Sequence, residues 1–144
     1  MPPFAMPPLP DISIDIKVPF HDVDSMHIVW HGHYSKYFEL ARCELLESFG
    51  YGYKAMAASG YAWPVVDMRL KYVKPARFDQ LIRVSAALEE WEYRLKIAYV
   101  IRDAGSGEKL TKGHTMQVAV DMSTHEMCYE SPAILKQKLG ITPG

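Results

Sequence analysis

Thirteen residues carry two carboxylates and three histidines in one run, Asp22-Val23-Asp24-Ser25-Met26-His27-Ile28-Val29-Trp30-His31-Gly32-His33-Tyr34. The run ends where a helical pattern begins. At a helix start the first backbone N–H groups point outward without partners, and a partial positive charge gathers there. An acid just upstream of such an end suits chemistry on a carbonyl. The carboxylate would supply or activate a nucleophile, and the helix end would hold the oxyanion.

The elements that must position this run are legible from periodicity. Asp11 to Phe20 alternates, with Ile12, Ile14, Ile16 and Val18 on one side and Ser13, Asp15 and Lys17 on the other, as a half-buried strand does. From Tyr34 the period becomes helical. Tyr34, Tyr37, Phe38, Ala41, Leu45 and Phe49 form a broad apolar stripe, with Lys36, Glu39, Arg42, Glu44 and Glu47 on much of the remainder. Gly50 and Gly52 stop the helix. After residue 60 the chain reads mainly as strands: Val66 to Val73, Ile82 to Leu88, Leu95 to Ile101, and Leu110 to Val120 with Met116, Val118 and Val120 on one side. Asp103 to Gly107 is a turn, and Ser131-Pro132 opens a short last helix that ends near Gly140. One strand, one long helix and an antiparallel meander make an α+β fold in which a sheet wraps a single helix. Such a sheet has edges and a face left to cover, so self-association is expected.

Composition narrows the function classes. The chain has 144 residues, 49% of them apolar and 23% charged, with a net charge of −1. That is one globular domain, preceded by a loose tail over residues 1–10, which hold five prolines. Scattered Lys and Arg argue against a nucleic-acid surface or a polybasic membrane patch. No apolar run is long enough to span a bilayer, and the first residues do not have the pattern of a signal peptide. Cys43 and Cys128 match neither metal nor disulfide spacing, so a reducing cytoplasm with two buried thiols is the expectation.

The runs Phe20-His21-Asp22-Val23-Asp24, Ile28-Val29-Trp30-His31 and Tyr34, with Tyr37-Phe38-Glu39-Leu40-Ala41-Arg42 after them, resemble the signature of the hotdog-fold thioesterases. The 4-hydroxybenzoyl-CoA and short-chain acyl-CoA thioesterase group is the nearest branch. Tyr72-Val73-Lys74-Pro75-Ala76-Arg77-Phe78-Asp79 is similar to that family's strand end. The resemblance implies a homodimer or homotetramer with its site at the subunit interface. It implies hydrolysis of acyl thioesters of coenzyme A or of an acyl carrier protein, without a cofactor. It places the catalytic acid on Asp24 and the carbonyl-polarising N–H on His31. Two departures stand out. The motif glycine is His27, so the turn after Asp24 is made without the freedom glycine gives. A tyrosine four residues before the acid is Phe20.

Within that resemblance Trp30, Tyr34, Tyr37, Phe38, Trp63 and Met68 are candidate acyl-pocket walls, although aromatic residues at such spacing also build plain cores. Lys71, Lys74 and Arg77 are candidates to hold a nucleotide. Asp24 has the alternative role of a helix or turn cap. Asp22 is expected to face a turn or solvent, and Glu39 to pair with Arg42 one turn on. A metal site is disfavoured, since His27 and His31 share a face only if the helix starts before residue 27. No Gly-x-Ser-x-Gly elbow is present. Two other functions stay open: dehydration or hydration of 3-hydroxyacyl thioesters, with His31 and Glu39 as the pair, and acyl-thioester binding without turnover.

Overall fold

The computed structural model describes residues 8–141; residues 1–7 of the proline-rich tail lie outside them. Pro10 leads into the first strand, its carbonyl accepting the Leu88 N–H at 3.0 Å. The main elements are β1 (Asp11–Lys17), α1 (Tyr34–Ser48), α2 (Tyr53–Ala58), β2 (Tyr61–Ala62), β3 (Val65–Tyr72), β4 (Leu81–Glu90), β5 (Leu95–Asp103), β6 (Lys109–Gln117), β7 (Val120–Asp121), β8 (Glu126–Met127) and α3 (Ala133–Lys138). Five strands form one antiparallel sheet in the order β1-β4-β5-β6-β3, and β2, β7 and β8 form a smaller one.

The large sheet packs on α1. Tyr37, Phe38, Ala41, Leu45 and Leu46 are sealed from solvent against Ile82, Val84 and Ala86 of β4 and Leu95, Ile97, Tyr99 and Ile101 of β5. Phe38 stacks on Tyr99 with centroids 4.4 Å apart and planes 8° from parallel. Gly113 of β6 lies beneath that ring; a Cβ there would meet the Phe38 ring at 2.9 Å and the Arg69 carbonyl at 2.0 Å. The helix therefore seats where β6 has no side chain. Its end follows the sequence: Gly50 takes φ +75° and donates its N–H to Glu47 at 3.0 Å.

Three elements differ from expectation. The first strand stops at Lys17, because Pro19 cannot donate to a ladder and the chain tightens into a 3₁₀ turn at Phe20–Asp22. The single strand expected over 110–120 is broken: β6 ends at Gln117, and Val120–Asp121 belongs to the small sheet. Its buried side is also the other one, with Thr111, Thr115, Gln117 and Ala119 inside. The register shift between Ile101 and Arg102 pairs them with Thr111 and Lys109, leaving Leu110 as an extra residue that flips the alternation. Pro132 caps α3 from just outside rather than opening it.

Candidate active site

Everything around Asp24 follows from how the chain gets from β1 to α1. After Asp22 the backbone forms a narrow hairpin. Val23 bridges Val29, the Asp24 N–H donates to the Ile28 carbonyl at 2.9 Å, and the His27 N–H donates to the Asp24 carbonyl at 2.9 Å. The Asp24 carboxylate closes the turn from inside, Oδ1 accepting the Met26 N–H at 2.9 Å. His27 takes φ +61°, the left-handed conformation that the motif glycine would adopt without strain. The hairpin is then pinned to the segment after β3. The Val29 N–H donates to Ala76 at 2.9 Å and the Phe78 N–H to His27 at 3.0 Å.

His31–His33 forms a 3₁₀ turn that runs directly into α1, and neither start is capped by a side chain. The His33 N–H donates to the Trp30 carbonyl at 2.9 Å, and those of His31 and Gly32 have no protein acceptor among the described residues, so they can meet a ligand oxygen. Trp30 folds over Gly32, where a Cβ would sit 2.1 Å from the indole, and its ring meets those of His31 and His33. The Tyr72 hydroxyl donates to the His31 carbonyl at 3.1 Å, tying the end of β3 to the helix start.

These parts enclose a cleft of about 350 Å³ lined by Asp24, Ile28, Val29, His31, Tyr34 and the run Tyr72–Pro75. Of the residues singled out from the sequence, Asp24, His31, Tyr34 and Lys74 meet there. Lys74 also reaches Glu108 at 3.0 Å. Trp30, Phe38, Trp63, Met68 and Arg77 do not line this cleft. Phe38 is core, sealed under Tyr99. Met68 stands exposed on the edge strand β3, and the exposed Arg77 reaches the site only through its backbone bridge to Ile28. Trp63 belongs to a second cavity of about 730 Å³, whose apolar wall includes Met56, Ala57, Ala62, Pro64, Val120 and Met122. Tyr72, the first residue of the strand-end run, completes the wall although its type and spacing alone suggest no role.

Asp22 overturns its expectation. It is 1% exposed, not solvent-facing. Its carboxylate accepts hydrogen bonds from Lys36 Nζ and from the Tyr37 hydroxyl at 2.7 Å, and His33 stands 4.0 Å away. Its carbonyl also accepts the Trp30 N–H at 3.0 Å. Burial pushes the Asp22 carboxyl up, but the Lys36 and Tyr37 hydrogen bonds and the nearby positive charge outweigh it, holding the group below the usual carboxylate value. Burial and the Asp22 charge push the Tyr37 phenol far up. Asp22 therefore clamps the Asp24 hairpin to the first turns of α1. Arg42 likewise does not pair with Glu39: it is buried, and Nε donates to the Tyr53 hydroxyl at 3.1 Å.

A long helix wrapped by an antiparallel sheet, with a cleft holding a carboxylate where the helix begins, defines a hotdog domain. The chain belongs to the Thioesterase-like superfamily, whose family model matches residues 18–138. Among its relatives, acyl-CoA thioester hydrolase YbgC of Escherichia coli is 29% identical over 73 residues, covering 51% of this chain and 54% of that one. A protein of Thermus thermophilus of known structure is 30% identical with a TM-score of 0.78, covering 90% of this chain and 97% of its own. The DHNA-CoA thioesterase of Staphylococcus aureus is 25% identical with a TM-score of 0.74, covering 83% of this chain and 80% of that one.

Proposed function

We propose that this protein hydrolyses acyl-CoA thioesters to the free acid and the thiol, in the cleft between Asp24 and the start of α1. One observation carries the assignment: the Asp24 carboxylate and an uncapped helical start share a single cleft. A thioester needs little help with its leaving group, because thiols ionise near pH ~8.5. What it needs is a nucleophile and a place for the developing charge. Oδ1 of Asp24 is oriented by the Met26 N–H, and Oδ2 has no protein partner among the described residues. Oδ2 takes a proton from water as the water attacks the carbonyl carbon. The backbone N–H of His31 holds the resulting oxyanion, and collapse expels the thiolate. Direct attack by Asp24 through a mixed anhydride uses the same geometry; label found in Asp24 after a single turnover in heavy-oxygen water marks that route.

The active form is a homodimer built across the β3 edges. β3 ends the sheet, with unpaired backbone groups and exposed Val65, Val66, Met68 and Tyr72. The cleft lies at the end of β3 and the apolar cavity at its start. Antiparallel pairing of two such edges brings the start of the partner's strand beside the end of this one. The acyl chain then runs from the cleft into the partner's apolar cavity. Cys43 and Cys128 are free thiols, half-buried rather than buried as expected, and they suit a reducing cytoplasm. No helix among the described residues is long and apolar enough to cross a membrane.

The test is thiol release from acetyl, octanoyl, benzoyl and 3-hydroxyacyl-CoA and from an acylated carrier protein, with Glu39→Gln alongside. Thiol release from acyl-CoA, unaffected by Glu39→Gln, is expected. Dehydration of the 3-hydroxyacyl substrate faster than its hydrolysis would contradict it.

A further inference from the structure

Tyr34 opens α1 and is only 2% exposed, yet its side chain forms part of the cleft wall beside Asp24 and His31. Its oxygen accepts the Ala76 N–H at 3.0 Å. Among the described residues no group accepts its proton. Burial raises the Tyr34 phenol above its ordinary value, so the proton stays on the oxygen through the neutral range. The ring is held in place by edge contacts with Tyr72 at 5.2 Å and Tyr37 at 6.1 Å. A hydroxyl on the cleft wall whose acceptor side is used and whose donor side has no protein partner among the described residues can give its proton only to water or to a ligand in the cleft.

We propose that the Tyr34 hydroxyl is a catalytic residue: it donates a hydrogen bond to the thioester carbonyl oxygen, beside the His31 backbone N–H. This rests on the reading of Asp24 as the base. As the water oxygen bonds to the carbonyl carbon and its proton passes to Asp24, the π pair of the C=O moves onto oxygen. Tyr34 and His31 hold that oxygen with hydrogen bonds and give it no proton. Reforming the C=O breaks the C–S bond, and the thiolate leaves to take up a proton. The Ala76 N–H, donating into the same phenol oxygen, polarises its O–H and strengthens the bond to the oxyanion. The donor is preorganised, so it gains most as charge develops.

The experiment is steady-state hydrolysis of octanoyl-CoA by the full chain and three variants, each checked for native melting. Tyr34→Phe is expected to lower kcat ~10²-fold with KM little changed. It also strips the Ala76 N–H of its acceptor, so a second variant separates chemistry from structure. Ring-fluorinated tyrosine in place of Tyr34 keeps that acceptor and makes the phenol more acidic. It should restore kcat to near wild type and move the alkaline limb of the pH–rate profile to lower pH. A Tyr34→Phe kcat within twofold of wild type, or an alkaline limb that does not move on fluorination, overturns the proposal. Asp24→Asn tells the two failures apart: full activity there sinks the base assignment itself, whereas loss there with an active Tyr34→Phe sinks only the role of Tyr34.

Discussion

The two hollows of this molecule differ in kind. The cleft at the end of β3 gathers a carboxylate, an imidazole, two phenols and an ammonium group. The cavity at the start of β3 is walled by Met56, Ala57, Ala62, Trp63 and Val120 and offers few polar atoms. One is equipped to change a bond and the other to bury a chain. A thioester needs both, since burying apolar substrate atoms supplies affinity and only a charged, oriented site supplies rate. They sit at opposite ends of the edge strand β3, so the proposed pairing of two β3 edges would bring one protomer's cleft beside its partner's cavity.

Filling the apolar cavity is the strongest way to break that division. Each acyl methylene buried there should improve kcat/KM roughly fourfold, from ~0.8 kcal/mol per CH₂. Ala62→Trp should lower kcat/KM for octanoyl-CoA by about 10²-fold, while acetyl-CoA turnover stays near wild type. Equal losses on both substrates would show that the two hollows are not separate in function.

Next in size is the clamp behind the cleft. Removing one partner of a fully buried ion pair costs about 3–5 kcal/mol, and Lys36, 42% exposed, lowers that figure. Asp22→Asn should therefore cost about 2 kcal/mol of unfolding free energy and reduce hydrolysis through the loosened Asp24 hairpin. The sign with pH follows from the depressed folded value. The stability Asp22 supplies is complete above its unfolded pKa of ~3.9 and is lost as pH falls through the lower folded one. The wild-type and Asp22→Asn stabilities, measured by urea unfolding, should converge as the pH is lowered below ~4. A gap that widens in acid would contradict the clamp.

The smallest effect sharpens the account of the turn. His27 holds a left-handed conformation at a cost of ~1–2 kcal/mol, which glycine avoids while losing some of that gain to chain entropy. His27→Gly should raise stability by up to about 1 kcal/mol and leave kcat unchanged. A fall in stability would mean the imidazole makes contacts that outweigh the strain.

The cleft was legible from the sequence and the cavity was not, for a physical reason. Asp24, His31 and Tyr34 lie on one short stretch that the resemblance to the hotdog thioesterases singles out, and the apolar stripe from Tyr34 onward marks the helix that follows it. The cavity is assembled from α2, β2 and β7, elements of two to six residues that are too short to show a period. Trp63, a candidate acyl-pocket wall from the resemblance, lines this cavity and not the cleft that holds Asp24. Local alternation turns Asp22 outward because it cannot show that Lys36 and Tyr37, fourteen and fifteen residues on, return to the same place. Alternation alone does not set which side of β6 is buried, because a single extra residue at Leu110 reverses every later side chain.

The most direct measurement is acyl-CoA hydrolysis by Asp24→Asn with its melting temperature recorded on the same sample. A native melt with the rate lowered by ~10²–10⁴-fold is the predicted result. A native melt with the rate within twofold of wild type would contradict the assignment of the chemistry to that carboxylate.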